Sequence, residues 1–353
     1  MNCIESFDNK KNNFLCEKKI IKIMGAAWLS RAVSVAARLG IADALEVLPL
    51  SLEELSSQIG CHAQALACLI HMLTCFEIFQ YTKDGRIENS DISEHLRSKH
   101  LFSLRNYCIF AGEEYYQAWL GLEETIKTGK SGFEQVFGCD LYSYLERYKD
   151  TAATYDIAME DLSRRVAHQL AEDWGSQFKK GGHVVDIGGG QGIISKQLVT
   201  TYPELVATVI DRNEVCVRAS KRLKPSFASR IRFIAGDFFK KINIKADFFI
   251  LKNVLHNWDK QSCRCILANI SEAMKAQKCC SPSRLFVIEP LIEKNEILPR
   301  LVVNALFQIV ICQEGARPRN IEEMRNLLEE QGLKIIKVTR LVTSHTVIEA
   351  CLG

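Results

Sequence analysis

The sequence carries no strong charge of either sign: 45 Lys and Arg face 42 Asp and Glu, for a net charge of +3 over 353 residues. So even a balance argues neither for nucleic acid nor for an acidic membrane as partner. No uninterrupted apolar run approaches about 20 residues, which predicts that nothing spans a bilayer. The opening Met1-Asn2-Cys3-Ile4-Glu5-Ser6 lacks the charged-then-apolar order of a signal peptide. There are 14 cysteines, but they are scattered singly apart from Cys263/Cys265 and Cys279-Cys280. With no Cys-x-x-Cys set, no metal is expected, and the thiols read as reduced and mostly buried in a cytoplasmic protein. A hydrophobic fraction of 47% and a charged fraction of 25% describe an ordinary globular chain, long enough for two domains.

The most informative stretch is His183-Val-Val-Asp-Ile-Gly-Gly-Gly-Gln-Gly192, followed by Ile193-Ile-Ser-Lys-Gln-Leu-Val199. It reads as a strand, a tight glycine turn and a helix, the entry to a nucleotide-binding βαβ unit. The dinucleotide fingerprint needs a small residue at its sixth position, and counting from Gly188 that position holds the bulky Ile193. Asp186, just before the loop, would repel a pyrophosphate. A cationic ligand without phosphate, such as S-adenosylmethionine (SAM), suits this loop better.

Along the chain, helical spacing of apolar residues runs from Phe14 to Leu39, behind a polar start at 1–13 that is expected to fray. Ser51-Leu-Glu-Glu is a capping box that opens a second helix, and a third runs from about His62 to Phe76. A hairpin follows, with Asp84-Gly85 as its turn. Three helices and a hairpin make a winged-helix arrangement. The would-be recognition helix, Ala63 to Met72, holds no Lys or Arg, so the module is expected to serve packing and dimerisation rather than DNA. Residues 101–180 read as mainly helical and rich in aromatics, with an amphipathic helix at about 153–174.

From residue 183 strands and helices alternate, which predicts a doubly wound, mostly parallel sheet. The last two strands, Leu333–Thr339 and Thr346–Ala350, are joined by six residues, Arg340 to His345. A parallel crossover needs roughly a dozen or more, so the final strand must run antiparallel, as a C-terminal hairpin. Asp211 ends the second strand, where a carboxylate can accept both ribose hydroxyls. Gly236-Asp-Phe-Phe239 follows the third, with Asp237 placed to accept from an adenine amino group and Phe238 to flank the ring. Leu251-Lys-Asn-Val-Leu-His-Asn-Trp-Asp259 follows the fourth, bringing Lys252 and His256 to the ligand edge.

Together with Val287-Ile-Glu-Pro290 and Val347-Ile-Glu-Ala350, these motifs resemble the small-molecule O-methyltransferases of the caffeic-acid and acetylserotonin type, over about residues 18–351. The resemblance implies a class I methyltransferase fold at 181–353. It also implies a winged-helix-like dimerisation domain at 14–100 and a helical connecting, substrate-lining region at 101–180. It assigns His256 as general base, with Glu289 holding it. It assigns SAM binding to Asp186, Gly188, Gly190, Asp211, Asp237, Phe238 and Lys252. The expected protein is a homodimer that methylates a hydroxyl, of the phenolic class, on a small aromatic, with no metal, nucleic acid or membrane partner. A neutral imidazole, unperturbed pKa about 6.5, suits the removal of a phenolic proton.

Two departures stand out. Asn257 replaces the Asp that often follows the family's His. In Glu314-Gly-Ala-Arg-Pro-Arg319, Arg317 is expected to stand where a second acid would bracket His256, with Glu314 as a partial substitute. They keep open an alternative, a SAM-binding regulatory or non-methylating protein of the same fold.

Overall fold

In the computed structural model, residues 2–173, 178, 180–276, 282–292 and 299–353 are described, with side chains from Phe14 onward and again from Val302. Cys279-Cys280 therefore lie outside the described residues. The chain divides into two compact units, 1–116 and 117–353.

The first unit begins with helix α1 (Asn2–Leu39), which reaches further back than the frayed start expected from its polarity. Neither Pro nor Gly interrupts residues 2–24, so nothing breaks the helix there. Gly40, at φ 70°, ends it in a left-handed conformation that glycine adopts without strain. Helix α2 (Leu52–Ile59) starts at the Ser51/Glu54 capping box, and α3 (Ala63–Cys75) is capped by His62. Strands β1 (Phe79–Tyr81) and β2 (Ile87–Asn89) form the antiparallel hairpin. Leu55, Ile70, Leu73, Phe79 and Ile87 fill the core of this unit.

Helix α1 leaves one apolar face uncovered: Ile21, Met24 and Trp28 are 71%, 63% and 70% exposed. Its span Phe14–Leu39 is long and apolar enough to cross a membrane by length and composition. Glu17, Lys18, Lys19, Lys22, Arg31 and Arg38 divide that span, so no uninterrupted apolar run within it approaches about 20 residues.

The second unit holds helices α4 (Leu141–Arg147) and α5 (Lys149–Asp173), then a seven-stranded sheet. In chain order its elements are β3 (Gly182–Ile187), α6 (Ile193–Thr201), β4 (Leu205–Asp211), α7 (Asn213–Arg222), β5 (Ile231–Ala235), β6 (Phe248–Lys252), α8 (Lys260–Lys275), β7 (Arg284–Glu289), α9 (Pro299–Ile311), α10 (Ile321–Glu329), β8 (Leu333–Arg340) and β9 (Thr346–Leu352). The strand order is β5-β4-β3-β6-β7-β9-β8. The first five strands in that order are parallel. Strand β9 runs antiparallel between β7 and β8, as the short connection requires.

Alternation along each strand splits the core in two. Val185, Ile187, Phe249, Leu251 and Val287 pack on one face of the sheet with residues of α8 and α10. Val184, Val209, Ile250 and Ile288 pack on the other with residues of α5 and α6. The sheet is covered on both sides, which fixes its register and aims the strand ends β3, β4, β6 and β7 at one edge.

Candidate functional site

The site is built at the carboxyl ends of the parallel strands, where open α/β sheets bind ligands. After β3 the chain turns through Gly188, Gly190 and Gly192, at φ 68°, 55° and 71°. Gly189 is required for a different reason: a Cβ there would lie 2.5 Å from Cγ of Asp186. The loop thus wraps a buried carboxylate. Asp186 is 2% exposed and accepts from Ser195 Oγ at 3.0 Å. Burial pushes its carboxyl up to about 6, against the pull of that hydrogen bond and of Lys252.

Asp211, at the end of β4, accepts from the Gly190 amide through one oxygen and from the Arg212 amide through the other, both at 2.8 Å. Burial raises it as well, with the two amides opposing. Phe238 packs against Phe239 and Trp258, with ring centroids 5.0 and 5.8 Å away. A Cβ on Gly188 would come within 3.7 Å of its ring. Lys252, at the end of β6, donates to Ser163 Oγ of α5 at 2.8 Å. Burial lowers it to about 8, opposed by Glu289 and Asp186.

These residues form one cluster, and Asp237 is the exception. It is exposed, caps the Phe239 amide at 2.9 Å and lies 3.6 Å from Lys240, at the rim of the cleft.

The catalytic pair expected from the sequence is brought together. His256, 7% exposed, meets Oε2 of Glu289 through Nδ1 at 2.5 Å. The other oxygen of Glu289 accepts the amides of Val254 and Leu255 at 3.0 and 2.8 Å. Glu289 thereby fixes both the ring and the turn that carries it. Asn253 makes that turn possible, at φ 55°, and its carbonyl accepts from Asn257 Nδ2 at 3.2 Å. Nδ1 is engaged, which leaves Nε2 as the atom that can take a proton.

The departures from the family pattern resolve differently from expectation. Arg317 does not stand beside His256: it pairs with Glu323 at 2.5 Å, half exposed. Glu314 is exposed and lines a separate surface cleft with Lys130 and Asp259. Its neighbour Arg319 does reach the turn. Arg319 is 4% exposed and donates to the carbonyls of Leu255 and Trp258, each at 2.7 Å. Asn257 is held by neutral groups: its Nδ2 lies 3.5 Å from the Tyr142 hydroxyl, and Cys312 Sγ lies 3.3 Å from its Oδ1. Sequence reasoning missed Arg319, Ser163, Asn253 and Cys312. None belongs to a periodic pattern, and each matters through partners distant in the chain or through backbone geometry.

The donor set fits SAM. Space is open beside Gly190, where an added Cβ would meet nothing within 4 Å. Asp211 has one backbone donor on each oxygen and retains lone pairs for a ribose diol. The buried, anionic Asp186 suits a cation. No group of three or more His, Cys, Asp or Glu suited to a metal is found among the described residues.

Comparison with known proteins identifies the family. Residues 119–334 match the model of the O-methyltransferase domain, and residues 21–99 that of the O-methyltransferase dimerisation domain. The chain is 30% identical over 343 residues to the phenazine-1-carboxylate N-methyltransferase of Pseudomonas aeruginosa, covering 96% of this chain and 98% of that one. It is 28% identical over 324 residues to the acetylserotonin O-methyltransferase of Bos taurus, covering 88% and 91%. The crystal structure of the O-methyltransferase NcsB1 from neocarzinostatin biosynthesis superposes with a TM-score of 0.71 at 25% identity, covering 92% of this chain and 96% of that one. NcsB1 was crystallised with SAM and 2-hydroxy-5-methyl naphthoic acid.

Proposed function

The chain belongs to the O-methyltransferase family and is a SAM-dependent methyltransferase, and from that premise we propose that it methylates a phenolic hydroxyl on a small aromatic molecule, with His256 as general base. The observation that carries this reading is the buried His256–Glu289 pair at the ligand edge of the sheet. In this reading Asp211 accepts the ribose hydroxyls, while Gly188 and Gly190 let the backbone approach. Phe238 and Asp237 take the adenine, and Asp186 and Lys252 face the charged end. SAM supplies a methyl group on a cationic sulfur that departs as a neutral thioether.

The protein's own work is alignment and proton removal. Glu289 holds Nδ1 of His256, so Nε2 faces the acceptor and takes its proton as the oxygen attacks. Tyr142 and Trp258, stacked with centroids 6.2 Å apart, offer flat apolar surface next to that turn. A flat acceptor agrees with the relatives, whose names specify phenazine and acetylserotonin substrates. We further assign a homodimer built through the first unit, whose exposed α1 face falls largely within the dimerisation match, and a cytoplasmic location.

The test is incubation of the purified chain with methyl-labelled SAM and a panel of phenols, catechols and indoles. Label on an aromatic hydroxyl supports the reading. Label on ring nitrogen would place the chain with its Pseudomonas relative instead, and no labelled product at all would reject methyl transfer.

A further inference from the structure

Between Gly188 and Gly192 the glycine loop carries one side chain of any size, that of Gln191. It is 3% exposed and is held at both ends. Its Nε2 donates to Oδ2 of Asp156 on α5 at 3.0 Å, and its Oε1 accepts from Nη1 of Arg222 on α7 at 3.0 Å. Asp156, 7% exposed, accepts in turn from Nε of Arg218 at 2.5 Å. Arg222 also lies 3.4 Å from Glu160 of α5. A tight turn needs no such bridge, and a buried amide between two helices is costly unless both its ends are paired.

The neighbouring residue shows what the bridge controls. Gly190 donates its amide to Asp211 at 2.8 Å. Its φ is 55°, and a Cβ added there would meet nothing within 4 Å, so packing does not fix it in place. Glycine also has the most backbone freedom to lose. The order of this stretch therefore comes from hydrogen bonds: the amide on Asp211 and, one residue on, the side chain fastened to α5 and α7. Further along α5, Ser163 receives Lys252 from the end of β6. One helix thus supports the site at two points.

We propose that Gln191 is a positioning residue for SAM: bridged to Asp156 and Arg222, it holds the Gly190 amide on Asp211, and with it the loop against which the ribose lies. The inference rests on Asp211 as the ribose acceptor and extends that site to α5 and α7.

The experiment is calorimetric titration of SAM into the full chain, at a temperature where thermal unfolding shows each variant folded. A loss of stability alone then leaves the affinity unchanged. Gln191→Glu sets two carboxylates face to face and should weaken SAM binding by about tenfold or more. Adding Asp156→Asn restores a donor opposite the new carboxylate and keeps an acceptor for Arg218, so the double variant should return to within about threefold of wild type. Arg222→Met removes the other half of the bridge at a partly exposed position and should weaken binding by about threefold or more, which decides the matter if the buried change prevents folding. In an Asp211→Ala background the loss from Gln191→Glu should shrink to about threefold or less, because Gln191 acts through that acid. Wild-type affinity in either Gln191→Glu or Arg222→Met, a double variant without recovery, or full additivity with Asp211→Ala overturns the inference. Unchanged affinity in Asp211→Ala alone rejects the ribose assignment, and the inference with it.

Discussion

Asp186 sits buried with a carboxyl raised to about 6 from an ordinary value of 3.8, chiefly by loss of water. A carboxylate whose folded pKa lies above its unfolded one contributes stability at low pH that is lost as pH rises through the folded value. Between about pH 4 and 6 the ligand-free protein should therefore lose up to about 2–3 kcal/mol through this residue. Asp186→Asn should raise the unfolding midpoint at neutral pH, with the gain shrinking toward pH 5, while weakening SAM binding. Urea titrations at several pH values check this, and a gain independent of pH would contradict it. The charge is thus a cost that a cationic ligand offsets.

Asp211→Ala should weaken SAM binding by about 1.5–3 kcal/mol per charge-assisted hydrogen bond lost, read by calorimetric titration. His256→Ala should leave that affinity nearly intact and lower turnover by about 10²–10⁴-fold, because the ring serves the acceptor proton. The loss should be smaller for acceptors that ionise unaided. Equal rates for variant and wild type on a neutral phenol would remove His256 as base.

At the scale of elements, the glycine loop separates two effects that a sequence motif runs together. Gly190 is constrained by its φ of 55° but has space around it, whereas Gly189 is constrained by the Asp186 side chain 2.5 Å from its would-be Cβ. Gly189→Ala should displace Asp186, costing about 1–3 kcal/mol of stability and much of the SAM affinity. Gly190→Ala should cost about 1–2 kcal/mol through backbone strain alone and leave Asp186 in place. Thermal unfolding with and without SAM distinguishes them.

The loop was legible because glycine announces backbone geometry directly. The closing hairpin was legible because six residues are too few for a crossover. The His256–Glu289 pair was legible through the resemblance. Arg319 was not, since its value lies in two carbonyls more than sixty residues away, those of Leu255 and Trp258. The displacement of Arg317 toward Glu323 was equally hidden, because the capping box at Asn320 and Glu323 draws its guanidinium outward.

For the whole molecule, the exposed face of α1 carries the prediction of a dimer. Ile21, Met24 and Trp28 present an apolar patch too large for an isolated surface. Light scattering should give twice the chain mass, and Trp28→Glu in the full chain should weaken association by at least about tenfold. A monomeric wild type would sink the assignment. The same residues explain why length and composition alone would also admit a membrane helix. Strand β9 has a consequence of another kind. It lies beside β7 with Thr346 opposite Glu289, and its first five residues are buried. In the order of synthesis it follows every other strand of the sheet. A nascent chain emerging from the ribosome therefore carries the glycine loop, His256 and Glu289 while β7 still has an open edge. Translation therefore delivers the strand that closes the sheet after the chemistry-bearing residues, and the parallel half of the sheet is synthesised before the antiparallel strand that seals its edge.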